Sequence, residues 1–459
     1  MKEFYHRSFQ LCYCAIALLF IFSCKKDSAI KTASSVSIYQ IAVEDPTNFS
    51  FLKTAIKKAG LVKKLSGEGA YTIFAPTNTA FKNAGFADTI AVQNADSAML
   101  SQMLSYHLLD QKQTMSALPV GASKLTTLTG KSLSVSKSST GVITINGAII
   151  TSMDHAASNG ILHVVNRVLA PAVADIATMV NTNGNLTYLA AAITRASQGS
   201  TNFSQLLSGT APYTFFAPTN SAFVSAGYAT VAAVTAADPN VLAALLNYHL
   251  VSGQTLSPEF ADSSSVASLK TNALYFNQPS TGSTTVNGVL FNGSNANNLA
   301  TNGVVHILTK VLVPPTLTLN QTITANTSLT FLAAAIIRAS QGSTNYTQLL
   351  SGTTPYTIFA PTDAAFKTAG FATIAAVTAS DPAVLATLLN SQLITNRKFS
   401  TTFADGNTTQ SLANSTLTFS TVGGFKVKGA GNTALSNLSP TDNLATNGVL
   451  HVSDQVLKP

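Results

Sequence analysis

Three stretches of the chain repeat apolar residues at the three-to-four spacing of a helix face: Phe51 to Ala59, Leu186 to Ala196 and Leu329 to Ala339. Asn185 and Ser328 stand just before the second and third, where their side chains would cap the free amides of the first turn. Each stretch is followed by a short apolar strand ending in Phe-Ala-Pro-Thr, and the proline stops the strand. Asn78, Asn220 or Asp363 then stands where it would cap a further helix that carries Phe81, Phe223 or Phe366 into a core. A third helix is predicted from Asp238-Pro239 and Asp381-Pro382, an N-cap followed by proline at N1, with Asp96-Ser97 in the same place.

Past these helices the period changes to two. Leu125 to Val135, Val142 to Ile150, Ser268 to Phe276 and Leu417 to Val427 alternate apolar residues with Thr, Ser or Lys, and Asn146-Gly147 and Asn287-Gly288 signal hairpin turns. A last strand (Ile161 to Leu169, Val304 to Val313, Val449 to Leu457) begins as a nearly continuous apolar run, which predicts burial on both faces. Helices first and antiparallel strands second predict an α+β module.

The module occurs three times. Tyr-Thr-(Ile/Phe)-Phe-Ala-Pro-Thr-(Asn/Asp)-x-Ala-Phe stands at Tyr71 to Phe81, Tyr213 to Phe223 and Tyr356 to Phe366, and Asn-Gly-(Ile/Val)-x-His follows at Asn159 to His163, Asn302 to His306 and Asn447 to His451. The prolines Pro76, Pro218 and Pro361 lie 142 and 143 residues apart, a domain-sized interval rather than a solenoid period. The expected division is 36–171, 172–315 and 316–459. Short proline-bearing linkers, Ala170 to Ala174 and Val313 to Thr316, predict a semi-rigid, elongated array.

The first residues read as targeting: Lys2 and Arg7, an apolar run from Leu11 to Phe22, then Ser23-Cys24. Residues 1–23 are expected to be a signal peptide, and Ile21-Phe22-Ser23-Cys24 resembles the lipobox of bacterial lipoproteins, in which Cys24 would take the lipid. With Lys25-Lys26-Asp27 behind it, the segment is similar to lipoproteins of Bacteroidetes type, making 24–35 a lipidated linker. Cys12, Cys14 and Cys24 are the only cysteines, so a mature chain would hold no disulfide, no cysteine nucleophile and no thiolate metal site.

Only 10% of residues are charged, so solubility rests on hydroxyls and amides. The net charge of +8 is uneven: residues 24–171 hold fourteen Lys and Arg against eight Asp and Glu, which places most of the excess in the module nearest the proposed lipid. Lys53, Lys57, Lys58, Lys63 and Lys64 form a stripe that could rest on anionic head groups or simply face solvent. The excess is local and not interleaved with aromatic residues, which argues against nucleic acid.

Taken in order, Phe-Ala-Pro-Thr-(Asn/Asp)-x-Ala-Phe, the pairs Tyr106-His107 and Tyr248-His249, and the Asn-Gly-(Ile/Val)-x-His strand resemble fasciclin-like domains over about residues 36 to 459. The resemblance implies a β-wedge flanked by helices in secreted or anchored proteins of cell adhesion, with no associated catalysis and no cofactor. It also marks landmarks for binding or for fold: Tyr106, His107, Tyr248 and His249, replaced by Ser391-Gln392 in the third copy; Asp154 and Asp442, replaced by Asn297 in the second; and His163, His306 and His451.

The residues themselves favour a structural role for these landmarks. His163, His306 and His451 sit in apolar strands, and His107 and His249 end a helix whose carbonyls they could cap. Asp154-His155 is the one pair suggestive of catalysis and occurs once, so no enzyme is expected. Candidate contact loops are the repeated Ser-Gln-Gly-Ser-Thr-Asn segments, Ser197, Gln198 and Asn202 in the second copy and Ser340, Gln341 and Asn345 in the third. The expected role is weak multivalent adhesion from an outer-membrane lipoprotein to an unknown surface protein or glycan. Glycan capture and a periplasmic spacer are the alternatives.

Overall fold

The computed structural model describes residues 36–138, 141–279, 283–291 and 295–459. The expected signal peptide, Cys24 and the 24–35 linker lie outside the described residues.

Each domain begins with a helical layer. In the first, helices Ile38–Glu44, Pro46–Lys58 and Val62–Ser66 precede the strand Tyr71–Pro76, and helices Asn78–Asn83, Thr89–Asn94 and Ser97–Tyr106 follow it. The third-helix signal holds in every copy: Asp96, Asp238 and Asp381 accept first-turn amides from Met99, Asn240 and Ala383.

The other two capping expectations are corrected. Thr77, Thr219 and Thr362 cap the helix after the proline, through the amides of Ala80, Ala222 and Ala365. The neighbouring Asn78, Asn220 and Asp363 instead reach across to the long helix, accepting from Phe51, Tyr188 and Phe331 at 3.0, 3.1 and 2.9 Å. Asn185 and Ser328 cap nothing there, because the chain enters the long helix from a tight turn closed by Asn183 and Asn326. The first free amides therefore face a side chain from a different segment.

The strand Tyr71–Pro76 lies at the centre of the first domain, and Tyr213–Pro218 and Tyr356–Pro361 take its place in the others. Tyr71–Pro76 pairs antiparallel with Leu108–Leu109 on one edge and parallel with Gly160–Val165 on the other, Tyr71 opposite Gly160. The same parallel pairing joins Tyr213–Pro218 to Gly303–Leu308 and Tyr356–Pro361 to Gly448–Ser453. The α+β expectation holds, with one parallel pair per domain among the antiparallel strands. A nearly continuous apolar strand suits that place, since both of its faces are covered. In the first domain a ten-residue strand, Ala148–Ala157, bends through two register shifts and joins all strands into one seven-stranded sheet. The other domains break there, and among the described residues each has two four-stranded sheets.

Alternation along the central strand divides the core. Ile73 and Ala75 face the helices with Leu52, Ile56, Phe81 and Leu104. Phe74 faces the hairpins with Leu133, Val135 and Ile145. Phe216 and Phe359 do the same in the other domains, among Phe276, Phe291 and Phe260 or among Phe419 and Val427. Every domain thus has its own two-part core, and the predicted hairpin turns are formed, with Asn146 and Gly147 both at positive φ.

The Asn-Gly pair before the last strand closes the domain. The Asn302 carboxamide donates to the carbonyls of Leu207 and Gly209, both at 2.8 Å, and accepts the Ile176 amide at 2.9 Å. Asn159 and Asn447 repeat all three bonds. A Cβ on Gly160, Gly303 or Gly448 would stand 2.1, 1.9 or 2.2 Å from the carbonyl oxygen of Tyr71, Tyr213 or Tyr356, so only glycine lets the strands meet. The entering chain is hooked at the same spot: Ser158, Thr301 and Thr446 donate backbone amides to Val36, Ala174 and Leu317.

Replacing Asn302 by alanine strands two carbonyls and one amide in a buried site. Asn302→Ala is expected to destabilise the second domain by about 3 kcal/mol or more, since each stranded buried group costs about 1–3 kcal/mol. Urea unfolding with a probe in that domain measures the loss, and a change under about 1 kcal/mol would contradict it.

Candidate functional site

The landmark residues form two buried clusters on either side of the central strand. His107 and His249 close the helices Ser97–Tyr106 and Pro239–Tyr248 and are fully buried. Nδ1–H donates to the carbonyl four residues back, Met103 or Leu245, at 2.8 Å; Nε2 accepts the amide of Leu169 or Leu312 at 2.8 and 2.9 Å. A ring with one donor and one acceptor so engaged is neutral, and burial lowers both pKa values to about 4. The third domain reaches the same result with an amide. Gln392 donates to Leu388 and Leu457 carbonyls and accepts the Leu457 amide, so it bridges the helix end to the exit of the last strand.

Beside these, the Tyr106 and Tyr248 hydroxyls donate to backbone carbonyls of Ser132 and Ala273 and accept from the side-chain amides of Asn146 and Asn287 at 2.6 and 2.9 Å. Burial raises both phenol pKa values, Tyr248 to about 12. The third domain has Ser391 at the tyrosine position and Lys428 at the asparagine position. Both halves of the contact are replaced together.

His163, His306 and His451 stack on Phe74, Phe216 and Phe359. Here the tautomer is reversed. Nε2–H donates to the carbonyls of Gln113, Thr255 and Lys398, and Nδ1 accepts the amides of Asp154, Asn297 and Asp442. The Asp154 and Asp442 carboxylates come to 3.7 and 3.9 Å of Nδ1, but that nitrogen carries no proton, so these approaches are not ion pairs. Burial lowers the pKa of all three rings, that of His306 to about 4.

Asp154, Asn297 and Asp442 share a left-handed backbone, φ near 60°. Their side-chain oxygens accept the amides of Met115, Ser257 and Ser400 at 2.8, 2.7 and 2.6 Å, which pins the loop after the short edge strand. Partial burial raises the Asp154 pKa, but the hydrogen bonds from Ser116 and Met115 outweigh it, and the carboxyl stays below its usual range. His155 is exposed and lies 2.6 Å from the Ser152 hydroxyl, a pairing with the look of a nucleophile and its base. The Asp154 carboxylate is engaged with Met115 and Ser116, so these three residues form no relay. Among the described residues no group of three or more His, Cys, Asp or Glu is placed to hold a metal ion.

The repeated loops have a fixed shape. Ser197 and Ser340 accept the amides of Ser204 and Thr347 across the loop, and Asn202 and Asn345 cap the following short helices. The Arg195 and Arg338 guanidiniums brace Gln198 and Gln341 and the carbonyls of Ala237 and Ser380. Gln198 to Ser200 and Gln341 to Ser343 face solvent. Of the basic stripe, Lys57, Lys58, Lys63 and Lys64 are exposed and Lys53 is half-buried.

A family model described as Fasciclin domain matches residues 47–171, 182–314 and 328–459. The chain belongs to the fasciclin domain family. Protein sll1483 of Synechocystis is 37% identical over 147 residues, 31% of this chain and 78% of that protein. Transforming growth factor-beta-induced protein ig-h3 of Sus scrofa is 26% identical over 306 residues, 66% of this chain and 43% of its own length. A solved fasciclin domain pair from the insect cell adhesion molecule fasciclin I aligns with 60% of this chain and 95% of its own at 15% identity and a TM-score of 0.28.

Within these fasciclin domains Asn159, Asn302 and Asn447 hold the fold closed, each through three buried hydrogen bonds. The repeat marks these asparagines in the sequence, whereas the carbonyls they bind lie some 95 residues earlier in the chain.

The histidines give the fold an acid limit. A depressed folded pKa means that the unfolded chain binds more protons, so their contribution is complete above about pH 6.5 and is lost as pH falls toward 4. Each costs about 1.4 kcal/mol per pH unit in that window. His249→Gln, the arrangement already present at Gln392, is expected to keep stability at pH 7 within about 1 kcal/mol and to flatten the loss between pH 6 and pH 4.5. Melting curves of both chains across that range check it; an unchanged slope would contradict it.

Proposed function

We propose that the chain is a non-catalytic adhesion protein that holds several weak contacts at once through its three fasciclin domains. The observation that carries this reading is the duplicated, braced loop at Gln198 to Ser200 and Gln341 to Ser343. A loop already fixed by Arg195 or Arg338 loses little freedom on binding, so even small contacts yield net affinity. Two identical copies in one chain then raise avidity without any new contact. Membership of the fasciclin domain family supports it, with similarity extending to ig-h3 and to human periostin.

The polar landmarks are occupied inside the protein, which leaves binding to the outer loops. Amide and hydroxyl side chains also suit sugar hydroxyls, so a surface glycan is the second reading of the same loops. Replacing Gln198-Gly199-Ser200 by alanines is expected to lower retention on a cell or glycan-coated surface at least tenfold, and replacing both loops to abolish it. Retention unchanged by the double replacement would remove the loops from consideration.

In the same reading, Cys24 carries a lipid in the outer membrane and the domains face outward, with Lys57, Lys58, Lys63 and Lys64 of the first domain toward anionic head groups. Protease treatment of intact cells is then expected to remove the third domain while a periplasmic control survives. Protection of both would favour a periplasmic spacer.

A further inference from the structure

At both domain boundaries the same corner of one domain meets the same corner of the next. The Asn146-Gly147 turn presses on Asn297: a Cβ at Gly147 would stand 2.1 Å from the Asn297 Cβ. The Asn287-Gly288 turn lies in like manner on Asp442 and Phe399, 3.1 and 3.0 Å from where a Cβ at Gly288 would be. Asn297 and Asp442 are equivalent, each offering its amide to the last-strand histidine.

A second point corresponds as well. Ser134 and Tyr275 are equivalent, since each gives its amide to the asparagine of its own turn. Ser134 shares a cleft with Gln254 and Leu256 of the following domain; Tyr275 shares one with Arg397 and Phe399. Gln254 and Arg397 are equivalent too, each one residue before the carbonyl that receives that histidine. The Arg397 guanidinium lies over the Tyr275 ring at 4.4 Å, a cation–π contact made between domains.

The third point is the residue four places after the histidine. Arg167 donates to the Ala296 carbonyl at 3.2 Å and lines a cleft with Asn297 and Asn298. Lys310 lines the matching cleft with Thr441, Asp442 and Asn443. The side chains differ between the two boundaries, serine against glutamine in one and tyrosine against arginine in the other, but the positions coincide. Three separate points of contact restrain the rotation between neighbouring domains as well as their distance.

We propose that this three-point contact is one module-to-module docking surface used twice, which holds the three domains as a single rigid body with two equal steps. The partner that the surface fits is another copy of the module, presenting a tight turn whose second residue is glycine. Linker stiffness alone would leave the rotation between domains free; the docked turn removes it.

Equal steps can be measured directly. Residues 25–459 contain no cysteine, so single labels can be placed at Gln93, Thr235 and Thr378, exposed and equivalent on the helices Thr89–Asn94, Val231–Ala236 and Ile374–Ala379. Pulsed electron–electron resonance on the Gln93→Cys/Thr235→Cys and Thr235→Cys/Thr378→Cys chains is expected to give two narrow distributions with the same mean distance. Unequal means, or a broad distribution at either boundary, would overturn the proposal. Gly147→Asn then tests the contact: asparagine tolerates the left-handed backbone of the turn, but its Cβ cannot share the space of Asn297. It is expected to broaden the first distribution and leave the second and the melting temperature unchanged. An unaltered first distribution would overturn the role of the turn, and circular dichroism confirms that the variant is folded.

Discussion

Each domain depends on one buried carboxamide. Asn159, Asn302 or Asn447 ties the amide that starts the first helix to two carbonyls at the end of the short helix before the central strand, with three good bonds from one side chain. Glycine must follow, because the strand it opens runs against a tyrosine carbonyl with no room for a Cβ. That contact sets the parallel register, which in turn sends Phe74, Phe216 or Phe359 into the hairpin core and its neighbours into the helical one. A shift of one residue would exchange the two cores.

The histidines extend the same logic from backbone to backbone. One set joins a helix end to the exit of the last strand, the other joins the last strand to the loop before the hairpins, and the two use opposite tautomers because their donors and acceptors are reversed. The third domain varies one clasp and keeps the other. Gln392 preserves the donor–acceptor span of the first, so what the site requires is a planar group with one proton and one lone pair, not an imidazole. The tyrosine–asparagine contact next to it is dispensable as a pair, as Ser391 and Lys428 demonstrate, whereas either member alone would leave a buried polar group unmatched.

What was legible in the sequence was what is local. The Asp-Pro starts of Pro239–Tyr248 and Pro382–Gln392, the Asn-Gly hairpins and the repeat itself are written within a few residues, and the α+β order follows from the change of period. The interaction partners of distant segments were not legible. Nothing in Phe-Ala-Pro-Thr-Asn says that the asparagine serves a helix about 30 residues earlier, and nothing in an apolar strand says whether it pairs parallel with one that precedes it by nearly 90. The apolar neighbours of His163, His306 and His451 predict their burial, while their tautomers are set by the carbonyl on the other side of the ring.

In each domain the incoming chain is hooked, through Val36, Ala174 or Leu317, to the residue or two just before the last strand, and the chain leaves from that strand's other end. Tension along the array would therefore draw the last strand out by its exit end while the entry side, through the helices, holds its parallel neighbour by the opposite end, loading the pair lengthwise. The bonds of that pair then share the force together and must yield together, instead of opening one at a time from an edge. Built this way, a chain of such domains behaves under stretching as a series of shear clamps.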